Sequence, residues 1–306
     1  MKELVYLREV GPRDGLQLAK IVMATEQKVE WCRAEARAGV SEIEVTSFVP
    51  AKIIPQFSDA DDVATQALEI PNLAASALVP NLKGALRAFE HGFKLIGFVL
   101  SASEQHNLAN VRRTTEQSID EFKTIVAERD RRADNSPALL SAAIATSFGC
   151  TIEGAVAESR VVKIAEALAK AGADEIMLAD TVGYGNPAQV RRLFGLVRDA
   201  VGAIPLRAHF HDTRGLGVAN VAAAVDAGIR RFDASLAGLG GCPFAPRATG
   251  NVNMEDCAFL FAALGFETGI DIDALIAVRA MVEKWLPGEN FFGMVARAGL
   301  PLNFKG

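Results

Sequence analysis

The 306 residues are 50% apolar and 23% charged, which is the composition of a globular chain with a substantial core and excludes a disordered one. Lys plus Arg number 32 against 37 for Asp plus Glu, and the net charge of −5 gives nucleic acid or an anionic membrane no general electrostatic hold. No stretch of about 18 charge-free apolar residues occurs.

The opening segment carries charges at Lys2, Glu3, Arg8 and Glu9, so it reads as a strand and not as a secretory signal. Short aliphatic or β-branched runs predict strands at residues 4–10, 42–46, 73–78, 94–100, 139–145, 175–179, 206–210 and 231–236. Amphipathic stretches of helical length lie between them. In 161–170, Val161, Ile164, Ala165 and Leu168 share one face, and the Ala-rich 218–228 closes on Gly228. Gly39, Gly172 and Gly228 each end a helical pattern and lead into an apolar strand.

Eight strands alternating with helices over about 235 residues fit an α/β fold of the (β/α)8 TIM-barrel type. Residues 1–306 are expected to form one domain, with about 257–306 as a helical extension. A doubly wound open sheet is the rival. It would bring a Gly-rich phosphate turn after its first strand, and Gly11-Pro12-Arg13-Asp14-Gly15 has the wrong spacing.

A barrel gathers its chemistry at the C-terminal ends of its strands. The unusual polar residues fall there: Arg13 and Asp14 after the first strand, Glu44 in the second, Asp180 and Thr181 ending the sixth, and His209 and His211 ending the seventh. Cys242 and Asn251 sit in the loop after the eighth. His209 and His211, two apart on a strand, point to one side and can face one ion, while Phe210 faces the helices. Asp14 adds an anionic oxygen and Asn251 a carbonyl oxygen, a mixed donor set suited to Mg²⁺ or Mn²⁺. Asp212 is expected to orient a neighbour. Three glycines precede Cys242 in Gly238-Leu239-Gly240-Gly241, which reads as an arm delivering a reactive thiol. Cys32 and Cys257 read as packing residues, and Cys150 stays open. Arg13 is either the partner of Glu44 in a structural ion pair or the cation that steadies an enolate.

These segments also carry a resemblance. Glu9 to Gln17, Thr46-Ser47-Phe48-Val49, Pro80-Asn81-Leu82-Lys83-Gly84, His209-x-His211-Asp212-Thr213, and the Gly238–Ala245 loop followed by Thr249-Gly250-Asn251 occur in order. Together they resemble the 3-hydroxy-3-methylglutaryl-CoA lyase family of metal-dependent (β/α)8 barrels. The resemblance implies that Asp14, His209, His211 and Asn251 hold a divalent cation. It also implies that Arg13 stabilises the enolate and that Cys242 protonates it after the carbon–carbon bond breaks. Glu44, Gln17 and Asp180 would line the site, and Arg13, Gln17, Asn107 and Thr181 would meet the substrate. The base is expected to be a metal-coupled group such as His209 or a bound water.

The partner implied is an acyl-CoA, with no nucleic acid and no membrane, and the chain is expected to form a homo-oligomer, a dimer being favoured. Leu18-Ala19, the run from Ser141 to Thr146, and Arg214 depart from the family's pattern and leave the substituent on C3 open. Lys20 and Lys83 are either phosphate partners or solvated lysines. An aldolase or Claisen-type acyl-CoA condensing enzyme on the same barrel and a non-catalytic CoA-ester-binding protein are the alternatives.

Overall fold

All the predicted strands form, and their pairing closes on itself. In the computed structural model, which describes residues 2–132, 137–241 and 250–304, eight parallel strands follow one another around a barrel in chain order. They are β1 (Tyr6–Glu9), β2 (Glu42–Ser47), β3 (Ala74–Val79), β4 (Leu95–Ser101), β5 (Leu139–Ala145), β6 (Glu175–Asp180), β7 (Leu206–Phe210) and β8 (Arg231–Ala234). The last strand pairs with the first, Tyr6 opposite Arg231 and Glu9 opposite Ala234, which removes both edges and with them the open-sheet rival.

The outer ring follows from the sequence pattern. The helices are α1 (Thr25–Arg37), α2 (Ala60–Ala67), α3 (Leu82–His91), α4 (Glu104–Val111), α5 (Thr115–Arg131), α6 (Glu158–Ala171), α7 (Pro187–Val201) and α8 (Gly217–Asp226). In α6 the buried set is Val161, Ile164, Ala165 and Leu168, the predicted stripe. Gly39, Gly172 and Gly228 end their helices with φ of 92°, 102° and 85°, a conformation that costs an L side chain about 1–2 kcal/mol.

Three more helices follow β8: α9 (Met254–Ala263), α10 (Ile272–Trp285) and α11 (Val295–Ala298). Packing separates them. Phe261 of α9 lies 5.0 Å from the Phe232 ring of β8, so α9 packs on the barrel as the helix that follows β8. Beyond it, α10 packs on α1. Among the described residues no helix is long and apolar enough to cross a membrane.

Candidate active site

The turn after β1 is the first part of the site. Val10 O accepts from the backbone N–H of Arg13, Asp14 and Gly15 at 3.1, 2.6 and 3.2 Å, coiling Gly11–Gly15 tightly over the end of the strand. The coil sets Arg13 and Asp14 on the rim, where Arg13 Nη1 donates to Asp14 Oδ1 at 2.7 Å. Arg13 Nε donates to Glu44 Oε2. Glu44 sits where the β2–β3 register shifts, a local irregularity that re-aims a side chain. Buried behind Arg13, Glu44 does not line the cavity. Of the three guanidinium nitrogens, Nη2 has no protein partner among the described residues.

The second part is the end of β7. His209 and His211 face inward with ring centroids 5.2 Å apart, while Phe210 turns out to pack on Phe148 and on Phe194 of α7. The donor atoms of Asp14, His209 and His211 all lie within 4.8 Å of one another, an arrangement that can hold a metal ion. His211 Nε2 is 3.9 Å from Asp14 Oδ2. Asn251 arrives on a segment that bridges antiparallel to His211 and donates its amide N–H to Asp14 Oδ2 at 2.7 Å and to Leu239 O at 3.1 Å. Gly240 makes room for it, since a Cβ there would lie 2.6 Å from Asn251 Nδ2.

Two buried atoms of this cluster, Asn251 Oδ1 and His211 Nδ1, have no partner among the described residues, although such atoms are normally satisfied. The donor set therefore fits a cation. Half a turn of the Asn251 amide would offer its oxygen in place of its nitrogen. Electrostatics agree. Burial opposes the Asp14 carboxylate, but Arg13, the two imidazoles and Asn251 together hold it below its usual range. Burial, followed by the neighbouring His209, pushes His211 down to about 4, which keeps it a neutral ligand at pH 7.

Below the rim lies a network that the sequence did not announce. Asp233 of β8 accepts from Arg8 Nε at 2.9 Å and Arg8 Nη2 at 3.0 Å, and contacts His209 Nδ1 at 3.2 Å. Arg207 donates to Glu175 at 2.9 Å and Glu42 at 2.6 Å. Single charges inside strands were the available signal, but who pairs with whom depends on inter-strand register.

Above this floor a cavity of about 320 Å³ opens at the C-terminal mouth. Arg13, Asp14, Gln17, Thr181, His209 and His211 line its polar side. Facing them, Val99, Ala143 and Met177 are register neighbours across β4, β5 and β6, and Ala145 and Ala179 continue the apolar wall. Arg112 and Arg113 bring positive charge to the same opening.

Several expected residues have other work. Asp180 accepts from Tyr184 N at 2.8 Å and Gly185 N at 2.9 Å, so it holds the turn after β6 and does not line the cavity; burial raises its carboxyl to about 6. Asn107 is buried and does not line the cavity. Its amide oxygen accepts from Ser101 N, and its amide nitrogen donates to Arg113 O and Ser118 Oγ, each at 2.8 Å.

Asp212 accepts from Gly217 N at 2.6 Å at the start of α8. Arg214 is exposed, donates to the carbonyls of Val182 and Gly183, and lies over the Tyr184 ring, outside the cavity lining. Lys20 donates to Gly288 O, and Lys83 is exposed. Cys32, Cys150 and Cys257 are buried free thiols. Cys242 lies outside the described residues.

A closed parallel barrel with an Asp-His-His cluster at its C-terminal mouth defines a class, and sequence comparison agrees with it. The HMGL-like family profile matches residues 4–282, and the chain belongs to that family. Among its relatives, the hydroxymethylglutaryl-CoA lyase YngG of Bacillus subtilis is 38% identical over 94% of this chain and 96% of that protein. The (R)-citramalyl-CoA lyase of Chloroflexus aurantiacus is 40% identical over 97% of this chain and 95% of that one. An HMG-CoA lyase from Acinetobacter baumannii, solved with coenzyme A and 3-methylmalate, superimposes with a TM-score of 0.91 at 40% identity, covering 99% and 97% of the two chains.

Proposed function

We propose that this chain is a divalent-metal-dependent carbon–carbon lyase that cleaves 3-hydroxy-3-methylglutaryl-CoA, or a close 3-hydroxy-3-alkylglutaryl-CoA, to acetyl-CoA and acetoacetate or the matching 3-oxo acid. The observation that carries the reading is the Asp14, His209 and His211 cluster, with Asn251 Oδ1, which has no partner among the described residues, beside it. These four residues would hold Mg²⁺ or Mn²⁺, which when bound supplies a Lewis acid for the substrate's hydroxyl and carboxylate.

The protein's own groups supply the rest. Arg13, held from behind by Glu44, keeps Nη2 for the thioester oxygen, on which negative charge gathers as the carbon–carbon bond breaks. The carbinol proton goes to a base at the cluster. Because His209 Nδ1 is engaged by Asp233, a bound water suits that role better than the imidazole. The electron pair of the breaking bond becomes the acetyl-CoA enolate, and the Cys242 thiol returns a proton to its carbon. A thiol of ordinary pKa, about 8.5, still holds its proton at neutral pH. Arg112 and Arg113 at the opening favour an anionic ligand such as a CoA ester. We further propose that the described elements form one domain and that the chain acts as a dimer.

A second reading follows from the relative that cleaves (R)-citramalyl-CoA. That substrate is shorter by one methylene between carboxylate and carbinol carbon, a difference worth only about 1–3 kcal/mol in a pocket. One experiment separates the two. Purified protein with Mg²⁺ is given each thioester in turn, with an EDTA-treated control, and products are identified by mass spectrometry. Metal-dependent acetoacetate supports the first reading, pyruvate the second, and no cleavage of either or of the 3-alkyl homologues would remove the lyase assignment.

A further inference from the structure

Asp233, on the strand farthest in sequence from Asp14, touches the candidate metal cluster through one of its ligands. Strand register explains how. Asp233 pairs across β8–β1 with Arg8 and across β7–β8 with His209, so the three inward-pointing side chains form one layer of the barrel. Arg8 takes both carboxylate oxygens of Asp233, through Nε on Oδ1 at 2.9 Å and Nη2 on Oδ2 at 3.0 Å, and Arg207 Nη1 adds a longer contact to Oδ1 at 3.4 Å. A carboxylate clamped between two guanidinium groups offers only lone pairs to its remaining neighbour. That neighbour is His209 Nδ1, 3.2 Å from Oδ2.

An imidazole carries its neutral-state proton on one nitrogen only. Facing a pure acceptor, the proton of His209 belongs on Nδ1, and the lone pair is left on Nε2. His211, the other imidazole of the cluster, has no such partner on Nδ1 among the described residues.

We propose that Asp233 is a positioning residue that fixes His209 in its Nδ1–H form and so keeps the Nε2 lone pair for the cation shared with Asp14, His211 and Asn251. The inference rests on the metal-dependent reading above and adds to it a part played by the barrel interior. It also explains a costly feature. Buried ion pairs stabilise little against apolar packing, so Arg8 and Asp233, each 2% exposed or less, need a function beyond stability.

The test uses the full chain and needs no acyl-CoA. The protein has four histidines, so imidazole ¹⁵N spectra of metal-free wild type report each tautomer directly. His209 is expected with its proton on Nδ1; a proton on Nε2 overturns the proposal whatever any variant does. In Asp233→Asn, Arg8 draws the amide oxygen to itself and leaves the NH₂ facing His209. The imidazole proton should then move to Nε2, and Mn²⁺ should bind about 10–100-fold more weakly by equilibrium dialysis. A folded D233N protein that keeps the Nδ1–H signature and the wild-type Mn²⁺ affinity overturns the role of Asp233 alone. Wild type that binds no Mn²⁺ overturns this inference together with the metal-dependent reading.

Discussion

The barrel buries two charged clusters a few residues apart on the same strands, and they are finished differently. On the floor, Arg207 meets Glu42, Glu175 and Asp233, and Arg8 meets Asp233, so each carboxylate has a guanidinium partner. At the mouth, Asp14, His209, His211 and Asn251 converge without closing, and Asn251 Oδ1 and His211 Nδ1 have no partner among the described residues. The floor leaves Arg8 Nη1 without a partner among the described residues but satisfies its carboxylates and so serves the fold, while the mouth keeps unsatisfied ligand-type atoms. Disturbing Arg207 and its carboxylates should therefore cost stability, disturbing the mouth should cost activity, and Asp233, which reaches His209, joins the two.

The strongest test of that division is Asp14→Asn. Turnover should fall by more than the roughly 100-fold typical of losing a partner behind a metal ligand. Dialysis against Mn²⁺ should show weakened binding, with little change in melting temperature. Next is Arg13→Gln, expected to lower kcat by about 10²–10³-fold, as losing one charge-stabilising donor does. Its effect on KM should be small if Nη2 serves the transition state.

Arg207→Met probes the other side of the comparison. It leaves Glu42 and Glu175 buried beside an apolar side chain and should cost about 3–5 kcal/mol in urea unfolding. Equal losses of stability from D14N and R207M would collapse the distinction between the clusters.

Asp180 sharpens it with pH. The native carboxyl is raised to about 6 and the unfolded one titrates near 3.8, so between these values the native state holds more protons. Its contribution to stability is thus full below pH 3.8 and lost as pH rises through 6. Relative to Asp180→Asn, wild type should lose up to about 3 kcal/mol across that window, read from melting curves at each pH. A difference that stays flat with pH removes burial as the cause of the shift. The smallest effect belongs to Arg214→Ala. Loss of its stacking on Tyr184 should cost about 0.5–1 kcal/mol and leave turnover unchanged.

Much of this was legible in the chain because it depends on local periodicity. Strand alternation places His209 and His211 on one side and Phe210 on the other, and helix stripes and terminal glycines mark the outer ring. What escaped depends on register and on hydrogen bonds over medium range. Asp233 and Arg8 read as ordinary strand charges until β1, β7 and β8 are aligned. Asp180 ends β6 and Asn107 lies in α4 just after β4, near where rim residues fall, yet each is consumed by hydrogen bonds to nearby backbone. Glu44 was correctly placed near Arg13, and only the structure shows it behind the guanidinium instead of at the cavity wall.

Closure of β8 on β1 also sets a schedule. Asp14 and Asn251, joined by a 2.7 Å hydrogen bond, are 237 positions apart. At about 5–20 residues per second, the ribosome adds the second on the order of 10–50 s after the first. Throughout that interval the turn bearing Arg13 and Asp14 exists without its partners, and β1 waits with one side unpaired. A nascent chain therefore cannot assemble the full cation-holding set until the segment bearing Asn251 has been made.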